Sequence, residues 1–178
     1  MKKKVQSLLP TIIVGGAAVL ALIFGLILPG ATATSEVLGS TVTTTVNFLG
    51  LVFGGATITT QSGNNTNTAT ITGGMSTMGL ISFLALIAGI ALIVVSIFVK
   101  GKKFDFIGSI CIAVAGVLAF FLLTGGTDIT TTLGSLTHAT PFTEYFEGVS
   151  LGAGAIIYGI VATLGGAFGI VNNFKKLI

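Results

Sequence analysis

Few side chains in this sequence could serve as acid, base, nucleophile or metal ligand. His138 is the only histidine, its nearest acids in sequence are Asp128 and Glu144, and Cys111 is the only cysteine. A metal centre takes three or four ligands of suitable geometry, so one histidine does not make one. No His-Glu-x-x-His, nucleophile elbow or phosphate loop occurs. Serine and threonine are plentiful, but none stands at a recognisable spacing from a base that could activate it. Cys111 lies inside an apolar run, where a small buried hydrophobe is the ordinary role. The residues therefore predict a non-enzymatic chain with no catalytic, cofactor or metal site.

The rest of the composition says what solvent the chain suits. Of 178 residues, 52% are hydrophobic and 7% charged, against about a quarter charged in a soluble domain. The mean hydropathy is +1.05. Such a chain could not cover a water-facing surface, and lipid is its expected partner. All eight basic residues are lysine, so the fork-shaped donor that reads phosphate or guanine is missing and nucleic acid is not an expected partner.

A helix crossing the hydrocarbon layer needs about 20 apolar residues. Four stretches qualify, at 8–28, 79–99, 106–123 and 149–171, and none carries a charge. Lys2, Lys3 and Lys4 precede the first. Lys100, Lys102 and Lys103 lie between the second and third, and Lys175 and Lys176 follow the fourth. Four crossings put all eight lysines on one side, with Asp105. Glu36, Asp128, Glu144 and Glu147 fall on the other. The positive-inside rule then places both termini in the cytoplasm of a multi-pass plasma-membrane protein. A cleaved secretory signal ending near Ala31-Thr32-Ala33 is the competing reading, but the first apolar run exceeds the usual 7–15 residues of such a signal.

The expected fold is an all-α membrane bundle of four transmembrane helices, one domain over 1–178, with a small extracytoplasmic antiparallel sheet from the first outer loop. That loop covers 29–78 and the second 124–148. In the first, Thr41–Val46, Phe48–Phe53, Ala56–Thr60 and Thr68–Thr72 are short β-prone or apolar runs bounded by Gly and Asn, which predicts three or four strands. The sheet edge is either a site for pairing with a neighbouring molecule or is covered by the second loop. Thr130–Thr132 could add a strand. Phe142, Tyr145 and Phe146, just after Pro141, form an aromatic cluster ahead of the fourth span, suited to an interfacial belt or to an exposed finger that docks on a partner. Asn64-Asn65-Thr66 fits a glycosylation sequon.

Small residues recur every fourth position in the spans, which lets membrane helices approach closely. Gly89 stands in the second span. The fourth is richest, with Gly148, Gly152, Gly159, Gly165, Gly166 and Gly169, on more than one face, which leaves one face for self-association.

Four spans, cytoplasmic ends, a β-prone first outer loop of about 50 residues and a shorter second one resemble the claudin-like tetraspan families. Glu144-Tyr145-Phe146-Glu147-Gly148, followed by Gly154-Ala155-Ile156-Ile157-Tyr158-Gly159, looks like the approach to their fourth helix. The family's first-loop tryptophan and cysteine pair are absent, and Gly50-Leu51-Val52 stands in place of Gly-Leu-Trp, so no functional residue carries across. The resemblance implies an adhesive or assembling membrane protein whose outer sheet mediates contacts, as a homo-oligomer or with other membrane proteins. A pore or channel subunit and an accessory subunit of a larger membrane complex are the alternatives.

Overall fold

The computed structural model describes residues 2–37, 40–70, 72–99, 102–133 and 136–177. Lys100 therefore lies outside the described residues. In chain order the elements are α1 (Lys2–Ile27), β1 (Pro29–Val37), β2 (Ser40–Asn47), α2 (Phe48–Phe53), β3 (Thr57–Ser62), β4 (Asn65–Thr70), β5 (Thr72–Gly73), α3 (Thr77–Val99), α4 (Lys102–Ala119), β6 (Ile129–Leu133), β7 (Leu136–Thr140), α5 (Phe142–Tyr145), β8 (Ser150–Leu151) and α6 (Ala153–Leu177). The chain forms two compact units. One comprises 1–23, 81–118 and 158–178; the other comprises 24–80 and 119–157.

Among the described residues the first unit is helical, built from parts of α1, α3, α4 and α6. Three helices among the described residues, Leu8–Ile27, Thr77–Val99 and Ala153–Phe174, are long and apolar enough to cross a membrane. Their outward positions carry Leu9, Ile12, Leu20, Leu84, Phe98, Leu164 and Val171, all exposed, so lipid is the environment these faces suit. The fourth span expected over 106–123 takes a different form. Its helix starts at Lys102 and stops at Ala119, and 120–123 continue only as turns closed by Leu122 N–H to Ala119 O and Thr124 N–H to Phe121 O. The earlier start has a physical cause: Asp105 sits in the first turn, where a carboxylate complements the positive end of the helix dipole. With Lys102, Lys103 and Asp105 inside its 18 residues, α4 is not among the helices apolar enough to cross a membrane, and a fourth span is not among what the structure shows.

The second unit holds both sheets. β4-β3-β2-β1-β8 is an antiparallel five-stranded sheet, and β5-β6-β7 a separate antiparallel three-stranded one. Three features depart from the expected sheet. Phe48–Phe53 is a short helix with Phe48, Leu51 and Val52 buried, because an unbroken apolar run carries neither period and burial chose the helix. Ala31–Ala33 lies inside β1, with Ala31 fully buried. Val149–Leu151, expected to begin the last span, instead supplies β8, whose register is Ala31↔Leu151 and Thr32↔Ser150; the helix begins at Ala153.

One row explains how the five-stranded sheet is anchored. Leu151, Ala31, Val46, Ile58 and Ala69 are successive cross-strand partners through all five strands, and they form its apolar row. The next rows are hydroxyl-rich: Ser150, Thr32, Thr45, Thr59 and Thr68, then Ala33, Thr44, Thr60 and Asn67. β-Branched threonine suits a pleated surface whose one side is only partly covered. The start of α3 is fixed by Ser76, which is fully buried. Its Oγ accepts from Gly79 N–H at 3.0 Å as a helix cap and donates to Leu122 O at 2.5 Å.

Candidate functional site

Among the described residues β4 is the outermost strand of the larger sheet, paired on one side only, with β3. Gly63, at φ +57, and Asn64 make the two-residue turn between them; the left-handed conformation favours glycine. Residues 61–68 are all exposed. Asn65-Thr66-Asn67-Thr68-Ala69-Thr70 contains no charge and no proline, the devices by which natural edges are usually blunted. Among the described residues, the strands of the second loop, β6 and β7, pair with β5 rather than with β4. The sequon at Asn64 sits at the exposed tip of the same hairpin.

The aromatic cluster is not a finger. Phe142 is 2% exposed and Phe146 is also buried, with ring centroids 4.8 Å apart. Tyr145 meets Phe146 edge-on at 5.3 Å and is half-buried, which pushes its phenol above the usual value. Two of the three residues expected to make outer-loop contact are thus core of the second unit. The turn closed by Phe146 N–H to Phe142 O at 3.1 Å, at the end of α5, brings these two positions onto one face.

The small residues divide into three kinds. In the first unit, a Cβ on Gly165 would meet Ala17 Cβ at 2.5 Å, and one on Gly169 would run into Ser109 and Val14. A Cβ on Gly166 would lie 2.7 Å from Ala113 Cα, and one on Gly116 2.7 Å from the Gly159 carbonyl oxygen. Gly89 does the same work against Ile112 and Gly108. The glycine faces of α6 are therefore occupied by α1 and α4 of the same chain, which removes the reason for a spare self-association face on that helix. Gly152 belongs to the second unit, where its missing Cβ makes room for the Pro29 carbonyl rather than for a helix. A Cβ on Gly148 would meet nothing within 4 Å; its φ of +74 places it in a turn before β8.

A buried hydroxyl pair ties three of the helical segments. Ser82 Oγ donates to Ala115 O at 2.7 Å, and Tyr158 Oη donates to Ser82 O at 3.3 Å, with the two hydroxyls 3.2 Å apart. Interhelical hydrogen bonds in membranes contribute roughly 0.6 kcal/mol each. Ser82→Ala is accordingly expected to cost about 1 kcal/mol in thermal or denaturant unfolding, and Tyr158→Phe about half that. A loss of several-fold more would show that the pair holds the unit's geometry rather than trimming it.

His138 is exposed in β7 opposite Thr131, Asp128 and Glu144 are exposed, and Cys111 is half-buried on α4. Among the described residues no three His, Cys, Asp or Glu side chains are placed to hold a metal ion. No family model, curated protein or solved structure matches this chain. Its functional reading thus rests on its own geometry. That geometry also buries four polar side chains, Thr11, Ser96, Asp105 and Asn173, of which Thr11 and Asn173 were not singled out in the sequence. Their one sequence signal is a polar residue within three or four positions of where an apolar run begins or ends.

Proposed function

We propose that this chain is a structural, non-enzymatic plasma-membrane protein with four transmembrane helices and both termini cytoplasmic, which assembles with further copies of itself through the free edge of its extracytoplasmic sheet in a claudin-like manner. α4 is the fourth crossing in this reading. At 18 residues it reaches about 27 Å, close to the hydrocarbon thickness. Its exposed Phe104, Ile107, Ile110, Val114 and Val117 give it an apolar outer face. The observation that carries assembly is the unblunted edge of β4. A second β4 laid antiparallel beside it would continue rows that already run Thr-on-Thr through the sheet, including Thr44 Oγ1 and Thr60 Oγ1 at 3.5 Å.

The test is a double change, Thr66→Lys with Thr68→Lys, which places like charges on both copies of the edge without touching the row that anchors the sheet. In lipid nanodiscs, native mass spectrometry is expected to find an oligomer for the unaltered chain and a monomer for the double variant. A monomeric unaltered chain, or an oligomer that ignores the lysines, would refute assembly through this edge.

A further inference from the structure

We infer that the helical unit holds a binding site for a small monovalent cation, built from Thr11, Ser96, Asp105 and Asn173, one residue from each of its four helical segments. These four are 5%, 7%, 6% and 3% exposed. Thr11 Oγ1 donates to Asp105 Oδ2 at 2.8 Å across 94 residues of sequence. The other carboxylate oxygen, Asp105 Oδ1, is buried without a hydrogen-bond partner.

Register puts the four on one level. Gly169 on α6 abuts Ser109 on α4 and Val14 on α1. One helical turn further along the same faces come Asn173, Asp105 and the neighbourhood of Thr11. Gly108 on α4 and Gly15 on α1 both abut Ile93 on α3, and one turn beyond Ile93 is Ser96. The layer therefore has a carboxylate, two hydroxyls and an amide.

The chemistry of the layer favours a cation over an apolar filler. An ionised carboxylate stripped of water persists only if its charge is matched and its lone pairs are used. The hydroxyl protons of Thr11 and Ser96 are committed, to Asp105 Oδ2 and to Ile93 O at 2.7 Å, which leaves their lone pairs to coordinate. Every donor is a hard oxygen, the set that suits alkali and alkaline-earth ions rather than soft metals. Asp105 is the only acid in the unit, so one positive charge is balanced and two are not. Among the described residues with described side chains, the charged group besides Asp105 in this unit is Lys103, which is exposed.

The full chain in lipid nanodiscs tests this through its unfolding temperature in sodium, potassium or lithium chloride against N-methyl-D-glucamine chloride at equal ionic strength and alkaline pH. One alkali ion is expected to raise the temperature saturably, and Asp105→Asn to abolish that saturable rise. Thr11→Val and Ser96→Ala, which keep the carboxylate, are expected to weaken the apparent affinity by at least about tenfold. Equal unfolding temperatures in alkali and organic cation, or a saturable rise that survives in Asp105→Asn, would overturn the site. So would unaltered affinity in the two hydroxyl variants, or a stabilisation that follows pH and ignores the alkali ion, since the positive charge would then be a proton.

Discussion

Adding a single methyl group at Gly166 is expected to destabilise the helical unit by about 1–3 kcal/mol, although alanine is the better helix former. The new Cβ would lie 2.7 Å from both Cα and Cβ of Ala113, and its nearest neighbour is the Ala113 backbone nitrogen. Backbone cannot rotate aside as a side-chain tip can, so α4 and α6 must separate. The separation also loosens Gly116 against the Gly159 carbonyl, one turn along the same seam. Gly16→Ala supplies the contrast, because a Cβ there meets nothing within 4 Å. Helix content followed through denaturant unfolding should place Gly16→Ala within about 0.5 kcal/mol of the parent chain. Should both variants unfold together, close helix contact would not be what the glycines of α6 provide.

Phe142→Ala carries the largest expected cost, about 3–5 kcal/mol, from the lost burial of a large ring and the cavity left behind. The ring packs on Phe146 and fills the space beside Gly126, where an added Cβ would come within 2.7 Å of it. Tyr145→Ala, one position short of Phe146 and half-exposed, should cost well under half as much. Limited proteolysis of the second loop separates the two outcomes. A Phe142→Ala chain that resists cleavage as well as the parent would mean that the aromatic residues serve a partner rather than their own core.

Much of the helical framework was legible in the residues, because lipid-facing helices advertise themselves by length and lack of charge. α1, α3 and α6 lie within a few residues of the expected spans, and the β3–β4 hairpin turns at the glycine and asparagine that mark it. What escaped was whatever depends on distant parts of the chain. β8 has an ordinary local sequence and becomes a strand only by pairing with β1, more than a hundred residues earlier. Asp105 stood beside three lysines and looked like part of a wet turn; only the helix starting at Lys102 turns it inward against Thr11. Phe142 and Phe146 illustrate the same limit, since an aromatic ahead of a span looks alike whether it faces lipid, a partner or its own core.

The pairing of β8 with β1, sealed by Gly152 N–H to Gly30 O at 2.9 Å, bears on how the molecule is made. β1 to β4 are consecutive, so this meander can assemble as soon as it leaves the ribosome, whereas its fifth strand is translated only after two further long helices. Until then β1 keeps a bare side. Newborn chains stalled before Leu151 are therefore the ones most exposed to mispairing, and a chaperone or protease that polices this protein would find its mark on that temporarily open strand.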